Sequence, residues 1–284
     1  MRRLAYHKPQ TLQDALRLKQ EQTDSLYIAG GTDVMVQIKN REIRPSALIS
    51  LRNIADLARI EVNGGARIGA LTTIADILQH PTLGRTFPIL SEAASSMASA
   101  QIRNVATIGG NLCNGSPSAD MALPLLVLES RVILQNLEMR RELPIEDFFL
   151  GPGESCLHPD EIMTDIYLDP PNEGRVDVFM KKGRVKLDLS VASVALLLEM
   201  EGSLCRKARL AAGSVAPTPI RLRSVEEYLE GSNLEEKTIQ EAQKIAEASV
   251  VPITDIRSTE VYRREIVGVF VKRGLERALG RSHG

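Results

Sequence analysis

Two pairs of adjacent glycines, far apart in the chain, constrain its fold more than any other feature. The first pair lies in Ala29–Asp33 (AGGTD), after the apolar stretch Leu26–Ala29 and before Val34–Ile38. The second pair lies in Thr107–Asn111 (TIGGN). Glycine adopts the left-handed backbone of tight turns and lets another group approach the main chain closely. We therefore predict a strand, a tight turn and a helix around the first pair, and a second tight turn at the other.

These two turns favour an anionic ligand. Backbone N–H groups at the start of a helix bind phosphate, because the helix dipole adds partial positive charge there. For either turn alone, the alternative is a capped turn without a ligand, and Asp33 fits that alternative as a helix cap. Two such turns, each surrounded by polar capping side chains, fit a diphosphate held from both sides.

Other motifs of nucleotide binding and catalysis are missing from the sequence. No G-x-G-x-x-G follows a predicted strand and no Walker A lysine motif occurs, so an NAD-binding Rossmann domain is disfavoured. No convincing acid–base or nucleophilic set is found, and we expect no catalytic residue. Cys113, Cys156 and Cys205 form no C-x-x-C motif, so we expect no zinc or iron–sulfur site in this chain.

Charge and hydropathy exclude two classes of partner. The formal net charge of −1, with both signs interspersed, leaves no broad basic surface for nucleic acid. The longest apolar run, Val191–Leu198, is far shorter than the ~20 residues that span a bilayer. Scattered free thiols are typical of a reducing compartment. We expect a soluble, cytoplasmic protein that neither binds nucleic acid nor spans a membrane.

The predicted elements give an α+β chain with one conspicuous linker. Ile60–Ile68 has the Asn-Gly turn of a β-hairpin, and Pro88 begins a helix that we predict to continue to Ser99. The polar, proline-rich segment Asp169–Gly174 is the best linker candidate. Beyond it, Val191–Met200 is predicted to be a buried strand. Three helices, segregated from the strands, follow near the C-terminus: Ser224–Leu229, Leu234–Ser249 and Arg257–Leu279.

Three segments together resemble the FAD-binding subunits of the xanthine dehydrogenase family of molybdenum hydroxylases. They are Ala29–Asp33, Gln101–Leu112 and Ser116–Asp120. This family includes the medium subunits of carbon monoxide dehydrogenases and the flavin subunits of nicotinate dehydrogenases. The helical tail from Asp255 to Arg263 also fits, so the resemblance covers nearly the whole chain. The stretch Cys113–Asp120 is most similar to xanthine and nicotinate members, which implies a purine or another N-heterocycle as the substrate of the complex.

The resemblance implies a fold of two domains. Residues 1–174 would form an FAD-binding domain of the vanillyl-alcohol-oxidase type, made of two lobes that meet near residues 52–60. Residues 175–284 would form a smaller α+β domain with an antiparallel sheet and helices. FAD would lie extended between the two lobes, bound without a covalent link, because neither glycine turn carries His or Cys at a linking position.

The resemblance also implies which residues contact FAD. The backbone of the two turns would hold the pyrophosphate, Asp120 would contact FAD, and Lys181 would lie near the flavin ring. Met97 matches a position that is often aromatic near the flavin, and Met163 matches a backbone contact to adenine. The implied contacts are Ala29, Gly30, Gly31, Thr32, Asp33, Met97, Thr107, Ile108, Gly109, Gly110, Asn111, Asp120, Met163 and Lys181.

The implied function is that of an electron-relay subunit. A large partner would carry the molybdopterin cofactor and hydroxylate the substrate, and a small partner would carry two [2Fe–2S] clusters. FAD in this chain would pass the electrons to NAD⁺ or another acceptor. Two alternatives remain open at this point. One is a self-contained flavin oxidoreductase of the same fold, which needs its own acid and substrate cavity. The other is a flavin-free assembly subunit, which has little use for intact glycine pairs.

Overall fold

The computed structural model describes residues 4–185 and 187–280. The outermost residues of the two predicted domains, 1–3 and 281–284, lie outside these ranges. Within the described ranges the chain builds three main β-sheets, each with its own set of helices. No helix in these ranges is both long enough and apolar enough to cross a membrane.

The first sheet is small and parallel. Its order is β1–β3–β2, where β1 is Ala5–His7, β2 is Ser25–Ile28 and β3 is Ala47–Ser50. Helix α1 (Leu12–Glu21) is capped by Thr11, whose hydroxyl accepts a hydrogen bond from the amide of Asp14. The helix buries Ala15 and Leu16 beside β3. Since β2 and β3 are parallel, their carboxyl ends meet at the same edge of the sheet, and the first glycine turn lies at that edge.

The second sheet is antiparallel and has the order β4–β5–β10–β6–β7. The chain enters it between Ser50 and Ile60. The predicted hairpin is confirmed, because β4 and β5 pair across a turn in which Gly64 has a φ of +80°. The strands are β4 (Ile60–Asn63), β5 (Gly65–Gly69), β6 (Arg131–Gln135), β7 (Arg140–Pro144) and β10 (Ile162–Leu168).

Short helices and one small hairpin connect these two sheets. The helix predicted for Pro88–Ser99 is shorter than expected and ends at Ser96, because Ala98 has a left-handed φ of +44° that a helix does not tolerate. The connecting elements are α2 (Val34–Lys39), α3 (Ile74–Gln79), α4 (Pro81–Thr86), α5 (Pro88–Ser96), α6 (Ala100–Arg103), α7 (Ile108–Cys113), α8 (Ala122–Val127), β8 (Phe149–Gly151) and β9 (Glu154–Ser155).

The third sheet is antiparallel, and the three C-terminal helices cover one of its faces. Its order is β11–β12–β13–β14. The predicted antiparallel sheet with helices is therefore confirmed, and strand Arg175–Lys182 was missed from the sequence. The elements are β11 (Arg175–Lys182), β12 (Ala192–Glu201), β13 (Leu204–Gly213), β14 (Ile220–Arg221), α9 (Arg223–Leu229), α10 (Glu236–Ala248) and α11 (Glu260–Ala278).

Both faces of β12 are buried, which explains the longest apolar run in the sequence. Val194, Leu196 and Leu198 point towards the C-terminal helices and join their core. Ala195 and Leu197 point the other way and join the core that the five-stranded sheet shares with α5 and α8. A strand that is covered on both sides has no polar alternation. The third sheet is thus a layer between its own helices and the N-terminal part of the chain.

Polar contacts strengthen this boundary. The guanidinium of Arg221 is buried, lies 2.6 Å from Glu226 and also donates to the carbonyl of Leu126 in α8. At the opposite edge of the sheet, in β11, Arg175 donates to the carbonyl of Thr86, and the Phe179 amide donates to the Glu92 carboxylate in α5. The division of the chain at residue 174 stays a prediction, but the two parts clearly share one extensive boundary.

We expect the Arg221→Ala substitution to destabilise the protein strongly. The buried Glu226 carboxylate would lose its closest cationic partner and keep only the Leu210 amide and Arg223, which approaches it at 3.5 Å. The free energy of unfolding should fall by about 3–5 kcal/mol in urea titrations. The matched control is Arg206→Ala, since the ion pair of Arg206 with Glu201 is exposed and is worth less than about 1 kcal/mol. Equal losses in the two variants would contradict this account.

Candidate functional site

A cavity of about 700 Å³ lies between the first and second sheets. One wall comes from β2 and the first glycine turn. The opposite wall comes from the second glycine turn, the β8–β9 hairpin and the start of β10. Much of the lining is apolar, including Leu51, Leu71, Met97, Leu157 and Met163. The volume and the mixture of apolar walls with a few polar groups are typical of a small-molecule or cofactor site.

The first glycine turn requires both of its glycines. Gly31 has a φ of +77°, in the left-handed region that favours glycine. A Cβ atom on Gly30 would lie only 2.1 Å from the carbonyl oxygen of Val105, close to the start of the second turn. The two turns, predicted from separate stretches of sequence, therefore come into direct contact at the edge of the cavity.

The main-chain amides of the first turn are free. In the described part of the chain, the N–H groups of Gly30, Gly31, Thr32 and Asp33 have no hydrogen-bond acceptor. Asp33 stands at the N-cap position of α2, but its side chain makes no capping hydrogen bond and accepts from the Thr32 hydroxyl instead. The Asp33 side chain therefore does not cap the helix, as the alternative without a ligand would require. The free amides of the loop can donate hydrogen bonds to a ligand.

The second glycine pair does not form the tight turn predicted from the sequence, because Thr107 caps a helix there and Gly109 and Gly110 lie in the first turn of α7 without a positive φ. We keep the name second turn for Thr107–Asn111, whose amides are used inside the protein. The amides of Ile108 and Gly109 donate to the carbonyls of Thr72 and Ala70, at 3.0 and 2.8 Å. The amide of Gly110 donates to the hydroxyl of Thr107 at 3.1 Å. A Cβ on Gly109 would meet the Ala70 Cβ at 2.6 Å, so glycine allows two segments of backbone to pack together.

The second turn therefore shapes the cavity and lines it with polar side chains, but it offers few free amides. Thr107, Gly109, Gly110 and Asn111 line the cavity, whereas Ile108 is fully buried in the core behind it. Contact of Ile108 with a ligand stays a prediction.

Met97 and Met163 both line the cavity, on different walls. Met97 follows α5, and the Arg103 guanidinium fixes its position by donating to the carbonyls of Met97 and Ala98, both at 2.9 Å. Met163 lies in β10, at the point where an irregularity shifts the pairing with β6. Both residues are thus held by main-chain contacts beside the space where the sequence placed them.

Asp120 and Lys181 form a buried ion pair behind the cavity wall. The Lys181 Nζ lies 2.5 Å from Asp120 Oδ2 and also donates to the carbonyl of Ser96, next to Met97. Burial raises the pKa of Asp120, and the Lys181 charge opposes that rise. The second carboxylate oxygen, Oδ1, is buried without a hydrogen-bond partner. The two residues do not line the cavity directly, and their role as FAD contacts stays a prediction.

Sequence reasoning missed two polar groups beside the cavity. The Arg52 guanidinium donates to the carbonyls of Ala29 and Gly30, at 3.2 and 3.1 Å. On the opposite wall, Glu161 forms an ion pair with Arg141 at 2.7 Å. Neither group belongs to a motif, and only the pairing of strands brings them to the cavity. Arg52 follows β3, whose parallel partner β2 leads into the first turn.

Comparisons with known proteins agree with these features. Residues 2–171 match the family model described as the FAD binding domain in molybdopterin dehydrogenase. Residues 177–278 match the model described as the CO dehydrogenase flavoprotein C-terminal domain.

Similar whole proteins are also known. The chain is 32% identical to the putative xanthine dehydrogenase FAD-binding subunit XdhB of Escherichia coli strain K12, over 99% of this chain and 97% of that one. It is 32% identical to the carbon monoxide dehydrogenase medium chain of Afipia carboxidovorans, over 98% and 97% of the two chains. A solved carbon monoxide dehydrogenase from Hydrogenophaga pseudoflava contains a chain with a TM-score of 0.94, 30% identity and 99% coverage of both.

Features of this chain's own structure fit a cofactor that carries a diphosphate. Gly30, Gly31, Gly109 and Gly110 line the cavity without side chains, and the amides of the first turn are free. An anion with several acceptor oxygens satisfies such amides.

We expect the Gly31→Ala substitution to weaken FAD binding about tenfold or more. An alanine is strained at this φ, and moving the loop would lose at least one amide–phosphate hydrogen bond. FAD affinity can be measured by quenching of flavin fluorescence. The matched control is Gly202→Ala, which has a similar φ of +61° but stands in open space away from the cavity. Equal FAD affinities in the two variants would argue against the first turn as a binding element.

Proposed function

Because the chain belongs to the family of FAD-binding medium subunits of the molybdenum hydroxylases, we propose that it relays electrons from [2Fe–2S] clusters of a small partner subunit to NAD⁺ or another acceptor. It is a flavoprotein subunit of an oxidoreductase complex. The molybdopterin cofactor and the iron–sulfur clusters belong to other subunits. The single observation that carries the proposal is the cavity between the two glycine turns, with unpaired amides on one side of it.

Bound FAD supplies redox chemistry in one- and two-electron steps. The residues of this chain bind it and shield it. We assign the binding of the diphosphate to the free amides of Gly30, Gly31, Thr32 and Asp33. The apolar lining of the cavity would exclude water from the bound cofactor. Lys181, held by Asp120, lies behind Met97, where its charge can act on the flavin.

Glu161, the buried carboxylate in the cavity wall, is not a suitable proton donor, which weighs against the self-contained enzyme. Burial by itself would raise the pKa of Glu161, but hydrogen bonds from Arg141 and the His158 amide lower it overall. A carboxylate that is held in this way stays ionised at neutral pH and accepts hydrogen bonds instead of donating protons. The relay role needs no proton donor for an organic substrate in this chain.

An exposed apolar patch is the best candidate for contact with a partner subunit. It consists of side chains that are each more than half exposed: Val185, Leu187, Leu189, Val251, Ile253, Ile256 and Val261. Large exposed apolar patches usually mark interaction sites. The two loops that carry most of the patch lie near each other, because the Arg263 guanidinium donates both to the carbonyl of Val191 and to the carboxylate of Asp255.

The position of the patch favours the [2Fe–2S] subunit as its occupant. The loop that contains Val185 begins directly after β11, the strand that carries Lys181. Lys181 in turn contacts Ser96, next to Met97 in the cavity wall. A subunit that delivers electrons to the flavin has to dock close to the cavity, and Lys181 with its strand links the patch to the cavity wall. Two ion pairs within the loops, Arg184 with Asp188 and Arg257 with Asp255, neutralise part of the charge near the patch.

The substrate of the complex is proposed to be a purine or another N-heterocycle. This follows from the similarity of the segment around Asp120 to xanthine and nicotinate members. It is supported by the Escherichia coli relative, a putative xanthine dehydrogenase FAD-binding subunit. A cytoplasmic location also stays a prediction.

We expect the Ile256→Asp substitution to reduce copurification of the small subunit at least about tenfold, because a charge would enter an apolar interface. FAD content should not change, since Ile256 does not line the cavity. The matched control is Met139→Asp, which adds the same charge to a half-exposed methionine in the β6–β7 turn. Loss of the large subunit alone would overturn the assignment of the patch.

The relay function is tested by anaerobic reduction of the purified complex. Adding hypoxanthine or nicotinate should bleach the flavin absorbance of the complex, and the isolated FAD-loaded chain should give no bleaching with either compound. Substrate turnover by the isolated chain would favour the self-contained flavin oxidoreductase. A native complex without flavin absorbance would favour the assembly subunit.

A further inference from the structure

Arg52 is an exposed arginine with an unusual pair of hydrogen bonds. Its Nε donates to the carbonyl of Ala29 at 3.2 Å, and its Nη2 donates to the carbonyl of Gly30 at 3.1 Å. The residue follows β3, and the pairing of Ile28 with Ser50 brings it beside the end of β2. Among the ion pairs of the described residues, none involves Arg52. Both of its hydrogen bonds therefore serve the main chain of the first glycine turn.

Because the peptide group is planar, these two hydrogen bonds also fix the direction of two N–H groups. In a trans peptide the C=O and the N–H point in opposite directions, and the described part of the chain has no cis peptide bond. The carbonyl of Ala29 shares its peptide plane with the amide of Gly30, and the carbonyl of Gly30 shares its plane with the amide of Gly31. A group that holds both carbonyls on one side therefore aims both amides to the other side.

That other side is the cavity. Gly30 and Gly31 line the cavity, whereas Arg52 is absent from its lining and reaches the turn from behind. Neither of these two amides has an acceptor within the described residues. We propose that Arg52 is a positioning residue that presents the amides of Gly30 and Gly31 to the diphosphate of FAD. This inference rests on the proposed placement of the diphosphate at the first turn.

The charge of Arg52 adds to this geometric effect. Asp33 puts a carboxylate at the end of the same turn, where it would repel an anion. A guanidinium fixed behind the turn supplies the opposite charge without occupying the cavity. Arginine suits this task better than lysine, because its planar fork donates to two acceptors at once and a lysine offers a single compact ammonium group.

The proposal separates ligands by the presence of a diphosphate. FAD and ADP both carry one, and riboflavin carries none. Arg52→Met should weaken binding of FAD and of ADP about tenfold, and it should leave riboflavin affinity unchanged. The FAD affinity of Arg52→Lys should lie between those of the wild type and Arg52→Met, since lysine keeps the charge but cannot donate to both carbonyls at once. A merely structural role would lower the affinity for all three ligands together.

The experiment uses the full chain stripped of FAD. Affinities for FAD and riboflavin are read from flavin fluorescence, the affinity for ADP from competition with FAD, and folding from thermal unfolding. The matched control is Arg44→Met, which removes a charge from an exposed arginine that is close in sequence and makes no hydrogen bond or ion pair within the described residues.

The possible outcomes separate this proposal from the placement of the diphosphate. If Arg52→Met behaves like Arg44→Met while Gly31→Ala loses FAD, the role of Arg52 is refuted and the first turn remains the binding site. If neither Arg52→Met nor Gly31→Ala changes FAD affinity, the placement of the diphosphate fails and the role of Arg52 fails with it.

Discussion

The contact between the two glycine turns is the constraint on which the rest of the structure depends. Gly30 lies against the Val105 carbonyl, so two backbones approach more closely there than any side chain would allow. This close packing joins the small parallel sheet to the five-stranded sheet and leaves a cavity between them. A Cβ on Gly30 would push the two parts apart, so the cavity and the packing of the sheets have the same cause. Gly109 packs the second turn closely on Ala70, at the end of β5.

The two turns contribute different groups to the site. The first turn keeps its amides free, and Arg52 holds its carbonyls from outside. The amides of the second turn donate to the carbonyls of Thr72 and Ala70 and to the capping hydroxyl of Thr107, and these hydrogen bonds make the turn rigid. A rigid wall that faces a wall with unpaired donors is a reasonable arrangement for an anion, because the donors are already oriented and lose little entropy when the ligand arrives.

The C-terminal part of the chain contributes to the same site through its first strand. Strand β11 is fixed to α5 by the bonds of Arg175 and Phe179, and it also carries Lys181 to Asp120. The third sheet is therefore more than an appended layer. It supplies the buried Lys181 ammonium behind the cavity, and the loop after its first strand carries part of the proposed docking surface.

The sequence by itself determined the local features of this protein. The glycine turns, the Asn-Gly hairpin, the buried strand β12 and the C-terminal helices follow from spacing and composition over a few residues, and the resemblance to the family extended them to a fold and a cofactor. The tertiary structure alone decided which amides stay free, that Arg52 lies behind Ala29 and Gly30, and that Lys181 meets Asp120. These contacts join residues that are distant in the chain, such as the pair 61 positions apart. Strand register and sheet packing create them, and no local pattern in the sequence encodes either.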